Sequence, residues 1–274
     1  MGNNISANTP IYKGDTKNGK KHGKGIYTFP NGERYEGEGE NDIINGKGTY
    51  YFTDGSNHQG EYKNGLANGE GIFTFKSGSK YKGVFKDGNP INIGTMYYIN
   101  GDCYTGQWLN FKRHGNGEIK FKNGDKYIGE FVGGNLNGRG KYFFANGTKY
   151  YGEFKYNVPD GNGKIEFTNG EKYEGMIKNG NIDGIGKYYY SNGDVYEGGF
   201  KDGEKEGKGK IIDKDGFVKF EGNFIEGRRN GECFYYFKEG KIFKCKYEMG
   251  VINRDNIIEI EKQKQEQEQN KNIE

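Results

Sequence analysis

The stretch Tyr127-Ile-Gly-Glu-Phe-Val-Gly-Gly-Asn-Leu-Asn-Gly-Arg-Gly-Lys-Tyr-Phe-Phe-Ala-Asn-Gly147 sets the pattern for the chain. Counted from its first residue, Gly stands at +2 and Phe at +4. Gly returns at +7, +11 and +13, aromatics at +15 and +17, and Asn-Gly at +19 and +20. The opening slot recurs every 23 residues, at Tyr12, Tyr35, His58, Tyr81, Tyr104, Tyr127, Tyr150, Tyr173 and Tyr196. It recurs again at Phe220, after a step of 24, and at Phe243. A fixed period of this kind marks a repeat architecture, in which each unit leans on its neighbours.

Each unit reads as two strands, because aromatic and polar residues alternate from +0 to +5 and again from +12 to +18. The rings at +0 and +4 share a face with Gly at +2, and those at +15 and +17 are expected to share one with Gly at +11 and +13. A ring can lie flat over a residue without a side chain, so one thin sheet can bury aromatic area. Each strand Gly costs about 0.5–1 kcal/mol, and burying a large ring returns about 1.5–3 kcal/mol. The margin is narrow, so stability must come from summing many repeats. Asn-Gly or Asp-Gly pairs such as Asn64-Gly65, Asp87-Gly88, Asn123-Gly124 and Asn146-Gly147 supply two tight turns per unit. The predicted fold is all-β: an elongated single-layer antiparallel β-meander of about ten 23-residue hairpin repeats, with a short C-terminal helix. At the usual strand spacing, about 21 strands would run for roughly 100 Å.

Tyr-x-Gly-x-Phe followed by Gly-x-x-x-Gly-x-Gly-x-Tyr-x-Phe, in register over residues 11–250, resembles the MORN repeat family. The resemblance implies a single-sheet scaffold that binds proteins and sometimes acidic lipids, and it implies homodimers through the C-terminal repeats. Several positions depart from the pattern: His58 in the opening slot, Asp42 and Asn157 at +7, and Asn92 at +11. The unit from Phe243 has Cys245 at +2 and Arg254 at +11, as a degenerate cap would.

In the 274 residues Gly occurs 50 times and aromatics make up 16%, while only 31% are hydrophobic. The fixed offsets of the rings and glycines argue against disorder and for one repeat domain over residues 11–252. A net charge of +3 with both signs interleaved is not the footprint of a nucleic-acid binder. Cys103, Cys233 and Cys245 form no CxxC pair, and reduced thiols in the cytoplasm are the simplest expectation. No apolar run is long enough to span a bilayer. His22, His58 and His114 lack partners at metal spacing. The Gly-x-Gly pairs enter strands instead of helices. The repeated carboxylates single out no acid–base pair. The sequence therefore points to a protein with neither enzymatic activity nor cofactor.

Residues 1–10 read as a flexible arm. Met1-Gly2-Asn3-Asn4-Ile5-Ser6 fits N-myristoylation at Gly2. One acyl chain holds a membrane only marginally, and Lys13, Lys17, Lys20, Lys21, His22 and Lys24 offer the second attachment to an anionic surface. The turns at +8 to +10 share one edge of the sheet. Lys112, Arg113, Arg228 and Arg229 add basic groups there, between the apolar Ile43, Ile44, Leu66, Pro90, Ile91, Leu136, Val158, Pro159 and Ile182. The aliphatics are expected to fold back over their own turns, whereas the basic groups are harder to explain as packing.

The ring face is first a core. With no second layer its outer surfaces should stay partly wet and form a groove for a helix or an extended peptide. Tyr81, Tyr104, Trp108, Tyr127, Phe131, Tyr150, Phe154 and Tyr173 would line it, with Trp108 as anchor. Residues 253–274 read as a polar helix and tail, with Ile257, Ile258 and Ile260 covering the last strand edge. The combined expectation is a membrane-associated scaffold, peripheral on the cytoplasmic face. Two alternatives stand beside it: a cytoskeletal or axonemal assembly part, and a regulatory subunit of an enzyme such as a lipid kinase.

Overall fold

The computed structural model of the chain describes residues 10–260. Gly2 and Ser6 of the acylation motif, and everything after Ile260, lie outside the described residues. Contacts divide the chain into two units, Met1–Ala145 and Asn146–Glu274. Among the described residues the first carries twelve strands, from β1 (Ile11–Lys17) and β2 (Lys20–Thr28) to β11 (Lys126–Val132) and β12 (Asn135–Phe143). The second carries ten, from β13 (Lys149–Lys155) to β20 (Arg228–Tyr236), β21 (Ile242–Glu248) and β22 (Val251–Ile260). Within each unit every strand pairs antiparallel with its sequence neighbour, as a meander requires. No helix occurs among the described residues.

The two turns of a unit differ. At +6 and +7 both residues take positive φ, as at Asn64 (53°) and Gly65 (85°), which matches the twist of the strands they join. At the other turn only the Gly does, as at Gly147 (95°). The Asn before it uses its side chain instead: Thr148 N–H donates to Asn146 Oδ1 at 2.9 Å. A single left-handed residue is enough there.

Gly at +2 and +13 face each other across neighbouring strands, as in Gly117↔Gly129 and Gly129↔Gly140. Rows of bare backbone therefore run across the strands, and the opening ring lies on them. A Cβ placed on Gly129 would stand 2.5 Å from the Tyr127 hydroxyl, and one on Gly140 would overlap the same ring. Gly at +11 behaves otherwise. A bulge between Gly129 and Phe131 shifts the register at the +11 position, where Gly138 has φ 78°. A Cβ there would meet Glu130, on the face away from the rings. The expectation that +11 shares the ring face fails because the bulge turns it over. Asn92 fills this place at φ 56°, since Asn tolerates the left-handed region. The step of 24 residues is absorbed in the same manner: Ile211 pairs with Phe220 but Ile212 with Val218, so Lys219 is extruded.

The rings form the core. Tyr35, Tyr81, Tyr104, Tyr127, Tyr173 and Tyr196 are 0% exposed. Tyr81, Tyr104 and Tyr196 each pack edge-on against the +4 ring of their own repeat and that of the next, whereas Tyr35 and Tyr173, with Gly39 and Ile177 in their own +4 slots, meet Tyr62 and Phe200 of the next repeat. Tyr104 meets Trp108 at 5.1 Å and Phe131 at 4.9 Å; Tyr196 meets Phe200 at 5.1 Å and Phe224 at 5.2 Å. Such pairs add about 0.5–1.5 kcal/mol beyond area burial. The Tyr hydroxyl donates to the +3 carbonyl, as from Tyr127 to Glu130 at 3.0 Å and from Tyr150 to Glu153 at 2.9 Å.

The C-terminal helix is not formed over its described part. Residues 255–260, expected to begin it, extend β22 instead, with Lys244↔Ile258 and Ile242↔Ile260. Val251, Ile252, Ile257, Ile258 and Ile260 are β-branched and favour extended backbone. Pairing with the open edge of β21 satisfies backbone groups that a helix laid across it would leave free. Strand thus replaces helix, and the sheet continues past residue 252.

Candidate protein-interaction surface

The groove expected on the ring face is closed. Tyr81, Tyr104, Tyr127, Tyr150 and Tyr173 are buried, as are Phe131 and Phe154. Trp108 is 7% exposed, and its Nε1–H donates to the Gly94 carbonyl at 3.0 Å. It lines a pocket of about 360 Å³, beside Phe75, Tyr98 and Phe111. These eight residues are core side chains, not the lining of an open groove. Sequence reasoning left their outer surfaces wet because it did not identify what covers them.

The residue at +9 covers them. Ile44 and Leu136 are 7% and 4% exposed and fold over their turns as expected, whereas Ile43 and Leu66, one place earlier, stay 48% exposed. The basic residues in the same slot do likewise. Arg113 lies over Tyr104 (5.8 Å) and Phe131 (5.4 Å), and its guanidinium also donates to the Gly134 carbonyl. Arg229 lies over Phe220 at 4.6 Å, Lys205 over Tyr196 at 5.1 Å, and Lys21 over Tyr27 at 5.3 Å. Burial pushes the Lys205 ammonium below its ordinary pKa. A long basic chain thus does the work of Leu here, with a cation–π attraction added. Lys21, Arg113 and Arg229 are packing residues, contrary to their reading as a lipid surface. Lys20, Lys112 and Arg228, one place earlier, are exposed, as are Lys13, Lys17 and Lys24, while His22 is half-buried.

Phe111 escaped the sequence reading. It replaces the +7 Gly, with φ 57°, an unfavourable region for a bulky residue. Its ring packs on Phe73 at 5.6 Å and Phe75 at 6.0 Å, which holds it there. The break at +7 was the signal that could have found it. His58 is also settled as core: it is 2% exposed, with Nδ1 2.7 Å from the Tyr62 hydroxyl and no partner for Nε2 among the described residues. Burial pulls its pKa down to about 4, so it is neutral.

The larger concavity lies on the opposite, polar face of the first unit. A trough of about 1230 Å³ crosses the strands there, floored by glycines of the row from Gly25 to Gly94. Side chains at +1, +3, +12 and +14 flank it, among them Lys24, Glu36, Glu38, Lys47, Glu61, Glu70 and Lys82. The +3 carboxylates have a structural task. Glu38 accepts from Lys47 N–H at 2.8 Å, and Glu130 from Arg139 N–H at 3.2 Å, each capping an N–H freed by the bulge. Lys24, Lys47 and Lys82 join none of the ion pairs formed among the described residues. The same face of the second unit is bridged: Glu197 pairs with Lys187 at 2.5 Å and with Lys210 at 3.0 Å, and Lys164 with Glu166 at 3.1 Å. One end of the trough is apolar, at Val84, Ile93 and Tyr97. Ile93 is 65% exposed and Tyr97 52%. These three belong to β7 (Lys80–Lys86) and β8 (Asn89–Tyr97), in the repeat that opens at Tyr81 and has Asn92 at +11 and Val84 in the usual carboxylate slot. The Tyr81 hydroxyl has no partner among the described residues.

A meander of 23-residue hairpins, with rings on glycine rows and a bulge in each unit, defines the class of protein. Nine stretches match the MORN repeat: 12–34, 35–57, 58–80, 104–126, 127–149, 150–172, 173–195, 196–218 and 220–242. The chain belongs to the MORN repeat family. The unmatched stretch, 81–103, is the repeat that supplies the apolar end of the trough. No curated protein sequence matches the chain. Among solved structures it is similar to the TCP10 domain of Danio rerio CPAP in complex with a peptide of Danio rerio STIL, at 15% identity, covering 85% of this chain and 97% of that one, with a TM-score of 0.49. It is also similar to the SAS-4 (dCPAP) TCP domain of Drosophila melanogaster in complex with a proline-rich motif of Ana2, at 16% identity, covering 70% and 90%, with a TM-score of 0.34.

Proposed function

We propose that the chain is a non-enzymatic scaffold that holds an extended polypeptide in the polar trough of its first unit. The observation that carries this reading is the trough itself. Its floor is bare backbone, because the side chains of that row would point to the ring face, and this lets a second strand approach; its walls carry charges of both signs, and Ile93 and Tyr97 are exposed at one end. The apolar end supplies an anchor and the flanking charges supply register. Selection of displayed random peptides on the full chain tests it. Selected peptides should compete for one site and lose about tenfold or more in affinity to Ile93→Glu. Peptides that bind Ile93→Glu as well as the wild type would sink the reading.

The scaffold is further proposed to sit peripherally on the cytoplasmic face of a membrane, through a myristoyl chain on Gly2. The exposed Lys13, Lys17, Lys20 and Lys24 provide the second contact, each worth about 1 kcal/mol near an anionic leaflet. Acylated protein should sediment with phosphatidylserine vesicles, and either Gly2→Ala or Lys20→Glu with Lys24→Glu should release it. Retention of both variants would remove the membrane from the proposal.

A further inference from the structure

The glycine row of the second unit ends in cysteine. Gly209 pairs with Gly222, Gly222 with Cys233, and Cys233 with Cys245. Both cysteines are buried, and their Sγ atoms lie 3.0 Å apart, one on β20 and one on β21. Directly opposed residues of an antiparallel pair have Cα atoms about 4.5–5.5 Å apart, inside the span that a disulfide bridges. The ring above them is adapted to them. Phe220 takes the slot where most repeats carry Tyr, so no hydroxyl competes with the sulfur for the space beside Gly222.

We infer that Cys233 and Cys245 form a reversible dithiol–disulfide pair that, when oxidised, staples β20 to β21. The oxidant is a small-molecule disulfide such as oxidised glutathione. One cysteine thiolate attacks it, forming a mixed disulfide and releasing one glutathione thiolate. The second cysteine thiolate then attacks the protein sulfur of the mixed disulfide and expels the other. Two electrons pass from the cysteine pair to glutathione, and the two thiol protons end on two reduced glutathione molecules. Burial raises the Cys233 thiol to about 12, so reaction waits on local opening of the closing strands. The last described strand, β22, pairs with β21 and has Val251 72% exposed and Ile258 59% exposed, so its opening would uncover β21.

The test is to refold the full chain from denaturant in oxidised glutathione, quench with acid, and count and map the thiols. Refolding presents every thiol to the oxidant, so burial cannot mask the result. The three free thiols should fall to one, Cys103, with a peptide linking Cys233 to Cys245. A Cys103→Ser variant should fall to none without forming dimers. Proteolysis within the last hairpins should slow by about tenfold on oxidation, and Cys233→Ser should abolish that response. Three surviving thiols, separate glutathione adducts on the two cysteines, or pairing through Cys103 would each overturn the inference.

Discussion

In the repeat that opens at Tyr127 the ring carries a hydroxyl and lies on two glycines. In the repeat that opens at Phe220 the ring has no hydroxyl, and the second glycine is Cys233. A Cβ on Gly129 would stand 2.5 Å from the Tyr127 hydroxyl, whereas on Gly222 it would stand 2.9 Å from the Phe220 Cζ. Volume removed from the ring is volume available beneath it. The repeat at His58 is a third solution: a smaller ring keeps both glycines and brings Tyr62 in as a hydrogen-bond partner. The lesson is that ring and floor form one packing unit, shared between two strands.

The sharpest way to break this comparison is to put a methyl group under the larger ring. Gly140→Ala should destabilise the chain by about 3 kcal/mol in urea unfolding, from overpacking. At an ordinary strand position the same change would stabilise by about 0.5–1 kcal/mol. Adding Tyr127→Phe should recover about 1 kcal/mol by removing the hydroxyl.

A smaller effect tests His58. Its folded pKa of about 4 lies below the ordinary value of 6.5, so the neutral ring is the one the fold accepts. Its stabilising contribution is complete above pH 6.5 and is lost as pH falls toward 4. Between pH 7 and pH 4.5 the wild type should lose roughly 2 kcal/mol more than His58→Tyr. Equal losses in the two would show that the imidazole is not held neutral. The smallest effect returns to Phe220. Phe220→Tyr should cost about 1 kcal/mol, and Cys233→Gly in the same chain should remove that cost. Additive changes would uncouple ring from floor.

Much of this was legible in the sequence because every feature occurs about ten times at a fixed offset. The period set the meander, alternation set the strands, and Gly beside rings set the stacking. What was not legible depends on atoms that period alone does not reveal. The bulge at Gly138 turns the +11 position over, which brings the +3 carboxylates under structural duty and leaves the trough on the polar face. Arg113 and Leu136 share one slot because the stem of an arginine is apolar, so charge misled where offset would not have. Cys233 and Cys245 are 12 residues apart, the same separation that pairs Gly117 with Gly129. The register was therefore present in the sequence, but a search for CxxC does not look there. The terminal helix failed for another reason: residues 255–260 were judged by local propensity, while an unpaired strand edge lay next to them.

The extruded Lys219 shows what the glycine rows permit. One surplus residue is pushed out between Val218 and Phe220, and its ammonium finds Asp194 at 2.5 Å, while Gly209 and Gly222 stay opposed. A chain of this construction cannot lengthen gradually. Insertions must either leave the plane of the strands, as Lys219 does, or arrive as a whole hairpin, so homologous chains should differ in their number of paired strands by twos, like marks on a ruler.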